Sequence, residues 1–280
     1  MLMKLSSSVY YYRAKTDPQD APVQDMLNGL AEGHRRWGFW KMYDFIRQQT
    51  THQWNHKRVY RIYTQMQLNI RRKGKKRLPA RNRETLTLPI NPNVVWSMDF
   101  MHDRLINGRA LRTLNIIDDY NREVLNITVD TSISSQRVLR VLKQLFEFRG
   151  KPQIIRTDNG PEFLALEQWL KDQGVEAKYI QPGKPNQNAF IERFNRTFRQ
   201  DVLSQHLFED LDQVREEAAR FMWEYNNIRP HDSLQNLTPR AFLLKYGKLT
   251  AAQIDKEFPT FQQEYNYDDE ENFLHSSVAT

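Results

Sequence analysis

Between Val23 and Leu68 apolar residues recur at the three-and-four spacing of amphipathic helices, in three segments separated by short breaks. The first is VQDMLNGLAEGHRR. The second, GFWKMYDFIRQQ, puts Phe39, Met42 and Ile46 on one face, and the third, NHKRVYRIYTQMQL, aligns Val59, Ile62, Tyr63 and Met66 behind Asn55 as N-cap. Two helices joined by a tight turn, the second opening with His56, Lys57 and Arg58, fit a helix-turn-helix whose second helix enters a DNA major groove. A small structural three-helix cluster fits the same pattern.

After Pro92 the period changes. VVWSMDFM, LRTLNIID and VLNITVDT read as three strands, the first two joined through Asn107-Gly108, a hairpin dipeptide in which both residues tolerate positive φ. An amphipathic helix follows, SSQRVLRVLKQLFEFRG, with Val138, Leu142, Leu145 and Phe146 on one side. Then come a strand (QIIRT), a helix (PEFLALEQWLKDQG, opening on Pro161 and closing on Gly174), a strand (AKYIQP) and a long helix from Gln187 to Gln205. The order βββαβαβα predicts an α/β unit, because a hairpin meander followed by crossovers gives a mixed five-stranded sheet with helices on both faces. LDQVREEAARFMWEYNNIRP adds a further helix, with Trp223 and Tyr225 read as core residues.

An apolar content of 39% in 280 residues suits a folded chain with one or two cores. No apolar run approaches the roughly 20 residues that span a bilayer, and MLMKLSSSVYYYRAK lacks the apolar stretch of a secretion signal, so a cytoplasmic location is expected. Cysteine is absent, which excludes disulfides, a thiolate nucleophile and cysteine-held zinc; a metal must be held by oxygen or imidazole. The basic surplus is concentrated: Arg71, Arg72, Lys73, Lys75, Lys76, Arg77, Arg81 and Arg83 crowd a Pro-containing linker, whereas Asp268 to Glu271 form an acidic run in the tail. Such a basic run is an electrostatic footprint for a phosphate backbone, or else a solvated linker.

Three carboxylates stand out. Asp99 interrupts an apolar strand, where an ionised group is costly unless something binds it. Asp158 ends the strand QIIRT, where ligands gather in open α/β sheets. On the last long helix, at about 100° per residue, Phe190, Ile191, Phe194, Phe198 and Val202 form a core stripe, and Asn188, Glu192, Asn195, Arg196 and Arg199 line the opposite side. A carboxylate flanked by amides and guanidiniums can complete an acidic metal site and hold DNA phosphates beside it. Each residue has a plainer reading as well: Asp158 or Asn159 is a candidate cap for the helix at Pro161, and Glu192 with Arg196 is an ordinary i,i+4 pair. Asp103, Asp118 and Asp119 read as turn formers at hairpin ends, and His102 and His231 as lone imidazoles outside catalysis.

WSMDFM, IRTDNGPEF and QPGKPNQNAFIERFN together resemble the three blocks of the integrase-like DDE transposases of insertion sequences, specifically the second-frame (OrfB) subunit of two-frame elements. NHKRVYRIY and RRKGKKRLP resemble the family's helix-turn-helix and linker, and YNNIRPHDSLQNLTPRAF its C-terminal end. The resemblance implies a ribonuclease-H-like fold, Asp99, Asp158 and Glu192 as the catalytic and metal-binding triad, and Arg199 as a DNA contact; Lys184 lies in the third block. Glu192 follows Asp158 by 34 positions, slightly closer than in the family, with the shortfall around LALEQWL. Hard oxygen ligands favour Mg²⁺ or Mn²⁺, and two such ions ~3.5–4 Å apart serve phosphoryl transfer. The expected partners are double-stranded DNA, both transposon ends and target, together with further copies of the chain and a first-frame (OrfA) protein. The organisation reads as an N-terminal segment (1–20), a helix-turn-helix domain (21–70), a basic linker (71–92), the core with a helical extension (93–248) and an acidic tail (249–280). A catalytically dead DNA-binding regulator and a general nuclease are the competing readings.

Overall fold

A computed structural model of the chain describes residues 20–70, 88–181 and 188–247, which fall into two compact units. The expectations for Arg71, Arg72, Lys73, Lys75, Lys76, Arg77 and Lys184, and for the N-terminal segment and the acidic tail beyond residue 247, lie outside the described residues.

The first unit contains α1 (Ala21–Gly33), α2 (Phe39–Gln49) and α3 (His56–Gln65). The apolar stripes are its core: Val23, Leu27 and Leu30 of α1 meet Phe39, Met42 and Ile46 of α2 and Val59, Ile62 and Tyr63 of α3, all buried. Asn55 caps α3 through its side-chain oxygen, which accepts from the Lys57 N–H at 2.9 Å. Asp20 does not cap α1. Its buried carboxylate takes Arg58 Nε at 3.0 Å and Arg61 Nη2 at 2.8 Å, tying α3 to the start of α1, and the two guanidiniums, Arg61 foremost, hold its pKa below the usual carboxylate range.

The second unit is built on β1 (Val95–Arg104), β2 (Ala110–Asp118), β3 (Val124–Asp130), β4 (Ile154–Thr157) and β5 (Glu176–Tyr179), in the order β3-β2-β1-β4-β5. β1 pairs antiparallel with β2 and parallel with β4, so the sheet is mixed, as the meander-then-crossover order requires. The hairpin turns at Gly108, whose φ of 82° is the left-handed conformation anticipated there. Even-numbered residues of β1 (Trp96, Met98, Phe100) face a core shared with α4 (Ser135–Arg149), α5 (Pro161–Leu164) and α6 (Glu167–Asp172). On the other face Met101 joins α7 (Ala189–Phe198) and α8 (Leu211–Asn227), followed by α9 (Pro239–Tyr246).

Two helices differ from expectation. The segment from Pro161 to Gly174 is broken at Ala165-Leu166 into α5 and α6, both pinned by buried side chains, Phe163, Leu166 and Leu170. The long C-terminal helix stops as α-helix at Phe198 and continues through Leu203 as a widened π-type turn. Ile191, Phe194 and Phe198 are almost wholly removed from solvent, each contributing about 2–3 kcal/mol of apolar burial that fixes α7 on the sheet.

Candidate active site

The alternation of β1 sends Asp99 to the α7 side of the sheet, and Asn115 of β2 stands directly opposite it in register. Asp99 Oδ1 accepts from the Phe100 N–H at 2.8 Å and Oδ2 from Asn195 Nδ2 at 2.8 Å. Asn195 Oδ1 in turn accepts from Asn115 Nδ2 at 2.7 Å, so a buried amide chain crosses from β2 through α7 to Asp99. Asn195 therefore lies on the buried shoulder of α7 rather than on its solvent face, and its amide is committed to Asp99. Asn188, at the N-terminus of α7, is buried too, at 3% exposure. The helical reckoning placed both amides with the basic residues; a helix seated obliquely on a sheet buries the shoulder of its polar stripe as well.

Asp158 follows β4, with Oδ1 accepting from the Gly160 N–H at 3.0 Å. The helix at Pro161 carries no side-chain cap; Asn159 instead donates to the Ile180 carbonyl. Glu192 is half-buried on the first turn of α7. Burial pushes its pKa up, with Arg196 opposing.

Asp99 registers both other carboxylates. Its pKa is pushed up to about 6, first by burial and then by the negative charges of Asp158 and Glu192, against the hydrogen bonds from Phe100 and Asn195. Carboxylates from the β4–α5 loop and α7 thus act electrostatically on the one from β1, although among the described residues no three His, Asp or Glu side chains are gathered so that they could hold a metal ion as they stand. All three donors are hard carboxylate oxygens, the chemistry that suits Mg²⁺ or Mn²⁺.

This arrangement carries a stability cost with a defined sign. A carboxylate whose pKa is raised on folding stabilises the fold below its unfolded value and loses that contribution as pH rises from about 3.8 through about 6. Asp99→Asn is accordingly expected to stabilise the protein without divalent metal at pH 7.5 by about 2–3 kcal/mol, a gain that shrinks toward pH 4. Chemical unfolding in EDTA at the two pH values checks this; no gain at pH 7.5 would contradict the assigned burial.

Arg199 begins the π-type turn and is tied to the end of β1, Nη1 to Asp103 Oδ2 at 3.1 Å and Nη2 to the His102 carbonyl at 2.8 Å. Arg196 is exposed on α7, as are His56 and Lys57 at the start of α3, whereas Arg58 is braced on Asp20. Asp118 and Asp119 sit at the turn after β2, as read from the sequence, and both are buried there. Asp118 accepts from the Asn93 and Tyr120 N–H groups, and burial raises its pKa to about 7. Asp119 Oδ2 pairs with Arg156 Nη1 at 2.7 Å. The connection they occupy is covered by α9, through Tyr120 against Phe242 and Asn121 to the Pro239 carbonyl. His231 is buried against Tyr225, and Tyr225 is core, as expected. Asn115 was missed in the sequence: counting outward from Asn107-Gly108 as a two-residue turn sets Ile116 against Asp99, whereas the observed register sets Asn115 there.

Two models described as integrase core domain match residues 90–185 and 173–239, and one described as an HTH-like domain matches residues 24–76. A 31.7 kDa protein of insertion element IS407 from Burkholderia multivorans is 42% identical over 88% of the chain and 89% of its own length. Transposase InsD of insertion element IS2D from Escherichia coli is 30% identical over 68% of the chain and 66% of its own length. Among solved structures, the magnesium-bound catalytic core of HTLV-2 integrase is similar over 55% of the chain and 97% of its own, at 19% identity and a TM-score of 0.44. No helix among the described residues is long and apolar enough to cross a membrane. With an HTH-like domain ahead of an integrase core, and 42% identity over nearly the whole of an insertion-element protein, the chain belongs to the insertion-sequence transposases of the OrfB kind.

Proposed function

We propose that the chain cleaves the ends of its insertion sequence and joins the freed 3′ ends to target DNA, with Asp99, Asp158 and Glu192 holding two Mg²⁺ or Mn²⁺ ions. Membership of a transposase family with an integrase core supplies the reaction class. The observation that supports the residue assignment is a half-buried strand carboxylate, held by Asn195 and the Phe100 N–H, whose ionisation is opposed by two further carboxylates on a loop and a helix. That is an arrangement in want of a cation. When bound, the ions supply Lewis-acid stabilisation of the entering and leaving oxygens of an in-line displacement.

The chain's own residues do the remainder. Asn195 and the Phe100 N–H fix the two oxygens of Asp99 in orientation, and Asn115 fixes Asn195. Gly160 orients Asp158 through its N–H. Arg196 on α7 and Lys57 at the start of α3 present cations to the phosphate backbone, His56 offers a ring N–H beside Lys57, and Lys184 and the run from Arg71 to Arg77 are further phosphate contacts. Arg199 meets DNA where α7 meets the end of β1. Water enters when an end is nicked and the resulting 3′ hydroxyl enters in joining; since one phosphodiester replaces another, no nucleotide is consumed. Transposition needs both ends held together, so the working form contains several copies of the chain, with an OrfA protein as a further partner.

The test uses a labelled duplex carrying one terminal repeat and an unlabelled target. In Mg²⁺ the wild-type chain should nick the repeat end and yield a joined, longer product. Hydrolysis without joining would favour a general nuclease, and binding without nicking in either Mg²⁺ or Mn²⁺ would leave only the regulator.

A further inference from the structure

Behind the three carboxylates runs a second set of charged groups. Arg156 stands two residues before Asp158 on β4, in register with Ser97 of β1, and its Nη1 donates to the buried carboxylate of Asp119 at 2.7 Å. Asp119 leaves β2 for the turn into β3, and the same turn carries Arg122 at a φ of 62°, a left-handed conformation that a non-glycine residue adopts at some cost. The guanidinium of Arg122 lies 3.5 Å from the centroid of the Phe190 ring on the first turn of α7, two residues before Glu192. Asp119 is the negative charge that acts on it most strongly, and its Nη1 is buried without a hydrogen-bond partner among the described residues. A strained turn that sends a half-buried cation under an aromatic ring, with one donor unspent, is poorly explained by stability alone.

We propose that Arg122 is a positioning residue for Glu192, the last link of a relay from Arg156 through Asp119 to Phe190 that sets the strand bearing Asp158 and the helix bearing Glu192 at a fixed separation. The inference rests on the assignment of Glu192 as a metal-holding carboxylate. Arg122 acts on Glu192 through the ring of Phe190. Removing its charge loosens the first turn of α7 while leaving the buried stripe of Ile191, Phe194 and Phe198 in place.

The test is Mn²⁺ binding to the full chain, followed by the electron paramagnetic resonance of free Mn²⁺, alongside amide exchange over the first turn of α7. Arg122→Met keeps a side chain of similar reach without the charge, and Phe190→Leu removes the ring from the other side. Both should weaken Mn²⁺ binding by about 10-fold or more, as the loss of a residue supporting a ligand does, and both should speed exchange at residues 191–194 with the thermal midpoint nearly unchanged. Wild-type Mn²⁺ affinity in either variant overturns the proposal, as does an affinity loss accompanied by general unfolding in both. Glu192→Gln is measured in parallel: if it too binds Mn²⁺ as wild type, the metal assignment fails rather than the relay.

Discussion

Glu192→Gln is expected to reduce Mg²⁺-dependent nicking of terminal-repeat DNA by at least ~10³-fold, equivalent to about 4 kcal/mol of lost transition-state stabilisation. Binding of the same DNA should persist. The substitution keeps the length of the side chain and its place on the first turn of α7, where Glu192 is half-buried beside Arg196, and removes only the anionic oxygen. The apolar stripe that seats the helix is untouched, so the DNA-facing cations stay where they are. A gel nicking assay with a mobility-shift control separates the two effects. A variant that nicks at near wild-type rate would end the assignment of Glu192.

The second large effect concerns stability. Asp119→Ala should cost about 3–5 kcal/mol, because it strands the Arg156 guanidinium in a buried site without its carboxylate. In a unit of this size that corresponds to a fall in melting temperature of roughly 10 °C. Burial raises the pKa of Asp119 although Arg156 opposes it, so desolvation already outweighs the pair's attraction. The double variant Asp119→Leu with Arg156→Met should therefore recover most of the loss, since an apolar pair carries no such penalty. A calorimetric scan of the two variants decides it, and a single variant that melts like wild type would show the pair to be dispensable.

The fold was legible wherever burial has a period. The apolar stripes of α2, α3, α4 and α7 name the buried faces of those helices, and the apolar run of β1 its strand. The carboxylates at 99, 158 and 192 stand out in the sequence and in the resemblance, and their joint role is the one proposed above. Tertiary covering was invisible: nothing local announces that α9 closes over the turn after β2, so Asp118 and Asp119 read as turn formers with no sign that they are also buried. Polar partners across the sheet were equally hidden. Asn115 is one polar letter in an apolar strand, and it acquires meaning only once register sets it against Asp99 and α7 brings Asn195 between them. The same limit applies to Arg58, which the sequence groups with His56 and Lys57 at the opening of α3 and which also pairs with Asp20 at the start of α1.

Glu192 and Asn195 lie three residues apart on one helix, and both bear on Asp99. If Asp99 and Glu192 hold the ions as proposed, a small slide or roll of that helix disturbs a ligand and the brace of another ligand in a single movement. Catalytic competence then belongs to the docking of a whole cylinder on the sheet, and a rotamer change in one side chain cannot restore it.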